Sequence, residues 1–190
     1  MRYSVFVILL VWASGVGMLA KADESASIVV SKESVTSLPS VIAHNALPPL
    51  KQVGRSSLRV MVFKVFDSAL FTESGDWQNP QTAFRYELTY ARNISGSVLA
   101  SQTTKEWNHL GFTDARQAGW VEYLEEIWPD VSKGDTITFD VDAAGVSRFY
   151  FNSEWLGAIE DPDFAQMFIA IWLSPETSRP AHREGLLADS

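Results

Sequence analysis

The chain has 190 residues, 46% of them hydrophobic and 12% aromatic, with seven Trp, no Cys and a formal charge of −8. This is the composition of a folded chain, and the length suits one domain. The absence of Cys excludes disulfides, thiolate metal sites and thiol catalysis, while the acidic balance argues against nucleic acid and repels an anionic membrane surface.

In chain order, Arg2 supplies a positive start, Val5 to Ala13 is apolar, and Ala20-Lys21-Ala22 forms a small-x-small cleavage site. Residues 1–22 therefore read as a secretory signal peptide cut after Ala22, which implies a periplasmic or secreted protein. The apolar run is shorter than the ~20 residues of a membrane span, so no transmembrane segment is expected after cleavage. Residues 23–49 are rich in Ser and carry Pro39, Pro48 and Pro49; they read as a tether, in which Ser27 to Val30 is a possible edge strand. The packed domain is expected over 50–188.

Leu58 to Phe71 is nearly all apolar, which predicts one central strand buried on both faces and bent midway. Phe84, Tyr86, Leu88 and Tyr90 alternate with polar residues, as in a half-buried strand. Ser97 to Leu110 predicts a helix with Val98, Leu99, Trp107 and Leu110 inward, and Trp120 to Trp128 a second one ended by Pro129. Thr136 to Asp142, Ser147 to Phe151 and Glu154 to Ile159 form a three-strand meander, turning at Ala143-Ala144-Gly145 and Asn152-Ser153. Asp161-Pro162-Asp163 signals the start of a buried helix, Phe164 to Leu173, and Pro180 opens a last short one. The order points to α+β, with helices on one face of a mainly antiparallel sheet.

No nucleophile elbow, dinucleotide fingerprint, phosphate loop or zinc motif occurs in the mature chain. His44, His109 and His182 share no ligand spacing and read as solvated or capping groups, so no metal and no cofactor is expected. Asp140 and Asp142, with Thr136 and Thr138, read as a solvated strand face. Basic residues inside apolar strands stand out instead. Arg59, Lys64 and Arg148 must each pair, lie at an edge, or meet an anionic ligand, because an unpaired buried charge is costly.

Phe63-Lys64-Val65-Phe66-Asp67-Ser68-Ala69-Leu70-Phe71 resembles the F-K-V-Y-D-A-x-L-Y strand of bacterial chalcone isomerase-like proteins. Trp128-Pro129-Asp130-Val131-Ser132-Lys133-Gly134-Asp135 is similar to their F-P-D-V-x-x-G-D segment. Gly157-Ala158-Ile159, Asp161, Phe164-Ala165, Ile171-Trp172-Leu173 and Thr177-Ser178-Arg179-Pro180 follow their C-terminal block in order. The resemblance implies an open-faced antiparallel β-sandwich with helices packed over the large sheet and a ligand cleft between them. It also implies that the plant enzyme's catalytic positions are replaced. The strand Thr falls at Phe66, the helix Tyr near Leu99, the helix Asn near Glu106 and the second Thr near Leu156, while the Arg is Arg55 or Arg59. Side chains such as Phe and Leu cannot stabilise a developing enolate, so no chalcone isomerase activity is expected.

The expected function is binding of a small amphipathic ligand such as a fatty acid, with Arg59 as anchor, Lys64 nearby, and Phe66, Leu99 and Trp107 as apolar wall. The alternatives are an isomerase or lyase-type enzyme using Glu106 or Tyr90, a haem-binding module, or a protein-partner module with an exposed Trp patch.

Overall fold

The computed structural model describes residues 49–77 and 83–188, all within the unit Ser40–Ser190. The signal peptide, the possible strand at Ser27 to Val30 and nearly all of the tether lie outside the described residues.

Three strands come first: β1 (Lys51–Val60), β2 (Phe63–Thr72) and β3 (Phe84–Tyr90). Two helices follow, α1 (Gly96–His109) and α2 (Gln117–Ile127). Then come β4 (Thr136–Val141), β5 (Ser147–Phe151) and β6 (Glu154–Ile159), and finally α3 (Pro162–Leu173) and α4 (Pro180–Leu187). The strands form one antiparallel sheet in the order β1-β2-β3-β4-β5-β6, so each strand pairs with its neighbour in sequence.

The register decides which residues share a face. Phe66, Ser68, Leu70 and Thr72 of β2 lie opposite Tyr90, Leu88, Tyr86 and Phe84 of β3. The last three of those lie opposite Ile137, Phe139 and Val141 of β4. Helix α3 covers this face with a ladder of rings. Phe164 and Phe168 stack at 5.3 Å, Phe168 meets Phe139 edge-on at 4.8 Å, and Trp172 lies 4.8 Å from Tyr86. Each such ring pair adds about 0.5–1.5 kcal/mol beyond the area it buries. The cover follows from the sequence, because α3 is apolar nearly all round and its Phe164, Ala165, Phe168, Ile169, Ile171 and Leu173 are buried.

Helix α3 starts as its sequence requires. The Asp161 side chain accepts a hydrogen bond from the Asp163 N–H at 3.1 Å, and Pro162 occupies the first turn. The same carboxylate accepts from Arg116, which also pairs with Asp114 and Asp163 and lies over the Trp120 ring. Asp161→Ala should lower stability by about 1 kcal/mol in a denaturant titration, through loss of the cap.

Helix α4 packs on β1. Gly54 makes this possible, since a Cβ there would lie 2.4 Å from the Leu186 carbonyl oxygen. Helix α1 is also positioned by a glycine; a Cβ on Gly96 would lie 2.2 Å from the carbonyl oxygen of Trp128.

Three expectations are corrected. Leu58 to Phe71 is not one bent strand: it is the end of β1, a two-residue turn at Met61-Val62, and β2. Helix α1 turns inward Gly96, Ala100, Thr103 and Trp107, whereas Val98 is exposed. Small residues at that spacing let α1 approach its neighbours closely, which hydrophobicity alone does not register. The opposite sheet face at β4 is not simply solvated. Thr138 and Asp140 are buried, and Asp140 accepts from Arg85 at 2.9 Å. Burial raises the Asp140 carboxyl pKa and the Arg85 charge opposes the rise. Asp142 pairs with Arg148 at 2.6 Å, so Arg148 is the ion-paired case.

Candidate functional site

Strand register places Ser68 of β2 and Tyr86 of β3 on the helix-covered face, as diagonal neighbours. The first turns of α4 bring His182 down between them. Its Nε2 lies 3.1 Å from Ser68 Oγ and 3.0 Å from the Tyr86 hydroxyl. The Phe66 ring meets the imidazole edge-on at 5.6 Å and Tyr90 at 5.9 Å. Ser68, Tyr86, Tyr90 and His182 are all buried.

Burial sets the protonation of this cluster. It pushes the His182 pKa down to about 4; the backbone of Ser57 opposes the shift and the charge of Arg179 adds to it. Burial likewise drives the Tyr86 and Tyr90 hydroxyls well above the ordinary tyrosine range. At neutral pH every member is therefore uncharged. A neutral Tyr86 hydroxyl donating to Nε2 leaves the imidazole proton on Nδ1. A base at about 4 and two strongly raised phenols are poorly matched to proton transfer near pH 7. The arrangement is suited to holding a polar group by hydrogen bonds.

A cation stands beside it. Arg179, the residue before α4, is half-buried and forms no ion pair among the described residues. The preceding Ser178 donates to Glu106 Oε2 at 2.6 Å, and Gln102 donates to Glu106 Oε1 at 2.8 Å. Glu106 thus ties α1 to the segment leading into α4. Tyr90 lies in the buried cluster, while Glu106 is fixed at a half-buried seam.

The residues singled out from the sequence fall in three places. Phe66 is buried against His182, and Leu99 is half-buried at the start of α1, packed against the core. Trp107 is a core residue, 1% exposed, whose Nε1 donates to the Met167 carbonyl at 2.9 Å. Arg59 and Lys64 do not lie inside a buried strand. They face each other across β1 and β2 next to the hairpin turn, where Arg59 is exposed and Lys64 pairs with Asp67 at 2.7 Å. The premise that Arg59 is a charge buried in a central strand fails because the strand ends one residue later.

His182 corrects the reading of a solvated or capping histidine. His109 fits that reading better, with Nε2 3.0 Å from the Glu176 carbonyl oxygen at the surface; His44 lies outside the described residues. His182 lies in a short helix of weak amphipathic pattern and Arg179 just before it, so only contact across the fold brings them to this cluster. Separate from the cluster, Asn93, Ile94, Ser95, Asp130, Val131 and Ser132 line an open surface depression of about 290 Å³.

Comparison with known proteins bears on this geometry. The model of the chalcone isomerase-like family matches residues 50–188, which includes every element described. The chain belongs to the chalcone isomerase-like family. A relative, an uncharacterized protein of Haemophilus influenzae, is 30% identical over 118 residues, 61% of this chain and 57% of that protein. The chain therefore spans a little over half the length of that relative. Among solved structures, the crystal structure of an Arabidopsis thaliana fatty-acid binding protein matches with a TM-score of 0.57 at 12% identity, covering 79% of this chain and 90% of that one. At that identity the likeness is one of fold, and the fold is the chalcone isomerase-like sheet with helices packed over it.

Proposed function

We propose that this chalcone isomerase-like protein binds an amphipathic molecule bearing an acyl chain and does not catalyse ring closure. One observation carries the reading: the buried Ser68–Tyr86–His182 cluster is uncharged at neutral pH, and its titrating groups are shifted away from the range useful for proton transfer. The fatty-acid binding protein with a similar fold supports the ligand class. In this reading Arg179, half-buried beside His182, anchors the carboxylate, and the neutral cluster supplies hydrogen bonds. Phe66 and Leu99 form part of the apolar wall. Arg179 replaces Arg59 as anchor because Arg59 is exposed near the hairpin turn.

Native mass spectrometry of the purified protein should reveal a bound acyl species, and long-chain fatty acid should raise the Tm of stripped protein. Arg179→Ala should weaken that binding about tenfold, as expected for loss of a charge-assisted contact, while Arg59→Ala leaves it within about twofold. Absence of any fatty-acid effect on the wild type, or an unchanged affinity in Arg179→Ala, overturns the assignment. Chalcone turnover should stay at the spontaneous rate.

The same reading places the protein in the periplasm or outside the cell. The support is the basic, apolar and small-x-small order of residues 1–22. Intact-mass measurement of protein from its own cell should give a chain starting at Asp23; a chain starting at Met1 refutes export by cleavage.

A further inference from the structure

The turn between β1 and β2 breaks two rules at once. Its apex is Val60-Met61-Val62-Phe63, with Met61 90%, Val62 78% and Phe63 60% exposed. Two-residue hairpin turns favour Gly, Asn or Asp, yet Met61 adopts a positive φ of 56°. A left-handed backbone on an ordinary side chain is unfavourable, and four consecutive apolar residues at a turn add nothing to the core. Such a conflict between local preference and structure is a pointer to function.

The charges around the apex are specific. Arg59 and Lys64 are cross-strand partners directly below it, and the Arg92 guanidinium lies 5.7 Å from the centre of the Phe63 ring. The carboxylate beside them is Asp67, which pairs with Lys64 and also feels Arg59. Arg59, Lys64 and Arg92 thus place positive charge around the apex, with Lys64 paired to Asp67, on a chain whose formal charge is −8. Because charges are screened beyond ~10 Å, this collar and not the net charge governs what approaches the tip. The acidity that repels an anionic membrane from the molecule as a whole does not apply there.

We propose that the β1–β2 hairpin tip docks the protein on an anionic lipid surface. Met61, Val62 and Phe63 enter the boundary between headgroups and acyl chains, and Arg59, Lys64 and Arg92 meet the phosphates. Docking rests on the tip alone and is independent of which ligand the buried cluster holds. No described helix is long and apolar enough to cross a membrane.

The absence of Cys provides the test, because a Val62→Cys chain carries a single thiol. It is labelled with a polarity-sensitive fluorophore and titrated with vesicles of phosphatidylcholine plus phosphatidylglycerol. A control label at Glu122→Cys, exposed on α2, reports a surface remote in sequence. The Val62 label should shift to the blue and become shielded from iodide, and the Glu122 label should do neither. Arg59→Gln with Arg92→Gln should raise the half-saturating lipid concentration about tenfold or more. Docking is overturned by an unchanged Val62 signal, or by an equal shift on phosphatidylcholine alone that ignores the arginines. It is also overturned by a shift that follows protein concentration without lipid, which means a second copy covers the tip. Fold is controlled by Met61→Gly, since Gly accepts the positive φ; in the labelled chain this change should weaken lipid binding while the circular dichroism spectrum stays that of the wild type.

Discussion

Trp107→Ala should lower the free energy of unfolding by about 3–5 kcal/mol, the largest single effect expected here. The indole is fully enclosed between α1, α2 and α3. It meets Trp120 at 6.0 Å and Phe164 at 6.1 Å, and its Nε1 donates to Met167. Truncation removes the ring, the hydrogen bond and two edge contacts, and leaves a cavity that the surrounding helices cannot easily close. Against a typical total of about 5–15 kcal/mol, the loss brings the domain near its threshold. Guanidinium titration should show a lower midpoint with an unchanged slope. Trp107→Phe should lose much less, because it keeps an aromatic filler. A loss below about 1 kcal/mol for the alanine variant would mean that Trp107 borders a space already open, as a ligand-wall role requires.

The second large effect is a pH dependence centred on His182. Its folded pKa is about 4, against about 6.5 for an unfolded histidine. Between those values the unfolded chain binds more protons than the folded one, so stability rises with pH across the window. The contribution is fully present above about pH 6.5 and is lost as the pH falls toward 4. From pH 7 to 5 the wild type should lose about 2 kcal/mol through this one group. His182→Gln removes the titration and keeps a polar group facing Ser68 and Tyr86. Urea titrations of both proteins at several pH values should therefore converge as the pH falls. Parallel curves would show that His182 does not stay neutral in the folded state. The cause is local: burial strips the imidazole of water, Nε2 meets only the Ser68 and Tyr86 hydroxyls, and the charge of Arg179 further disfavours an imidazolium there.

The two effects mark the limits of what the sequence shows. Trp107 was legible as an inward residue of α1, but the rest of that helix's buried stripe was not. Gly96, Ala100 and Thr103 carry little hydrophobicity, and their value is that they let backbones approach. The alternation in β3, the Asn152-Ser153 turn and the Asp161 cap all formed where their local chemistry directs them, with Asn152 and Ser153 both at positive φ. The β1–β2 turn was invisible for the opposite reason: Met61 and Val62 carry no turn signal, so an apolar hairpin read as one long strand. That misreading placed Arg59 and Lys64 in a core they flank from outside.

By itself the sequence determined the order of the elements from β3 onward, the alternation of β3, and family membership, because alternation, helical spacing, caps and motif order are local properties of the chain. The tertiary structure decided the site. His182 and Ser68 are separated by 114 positions and meet only because α4 folds back over the start of the sheet. Whether a histidine is a solvated group or a neutral buried one depends on that contact, since desolvation is a property of surroundings rather than of residue type. The same holds for the composition: seven Trp, no Cys and an acid excess describe the whole chain, while the cationic collar around an apolar hairpin tip exists only once β1 and β2 are paired.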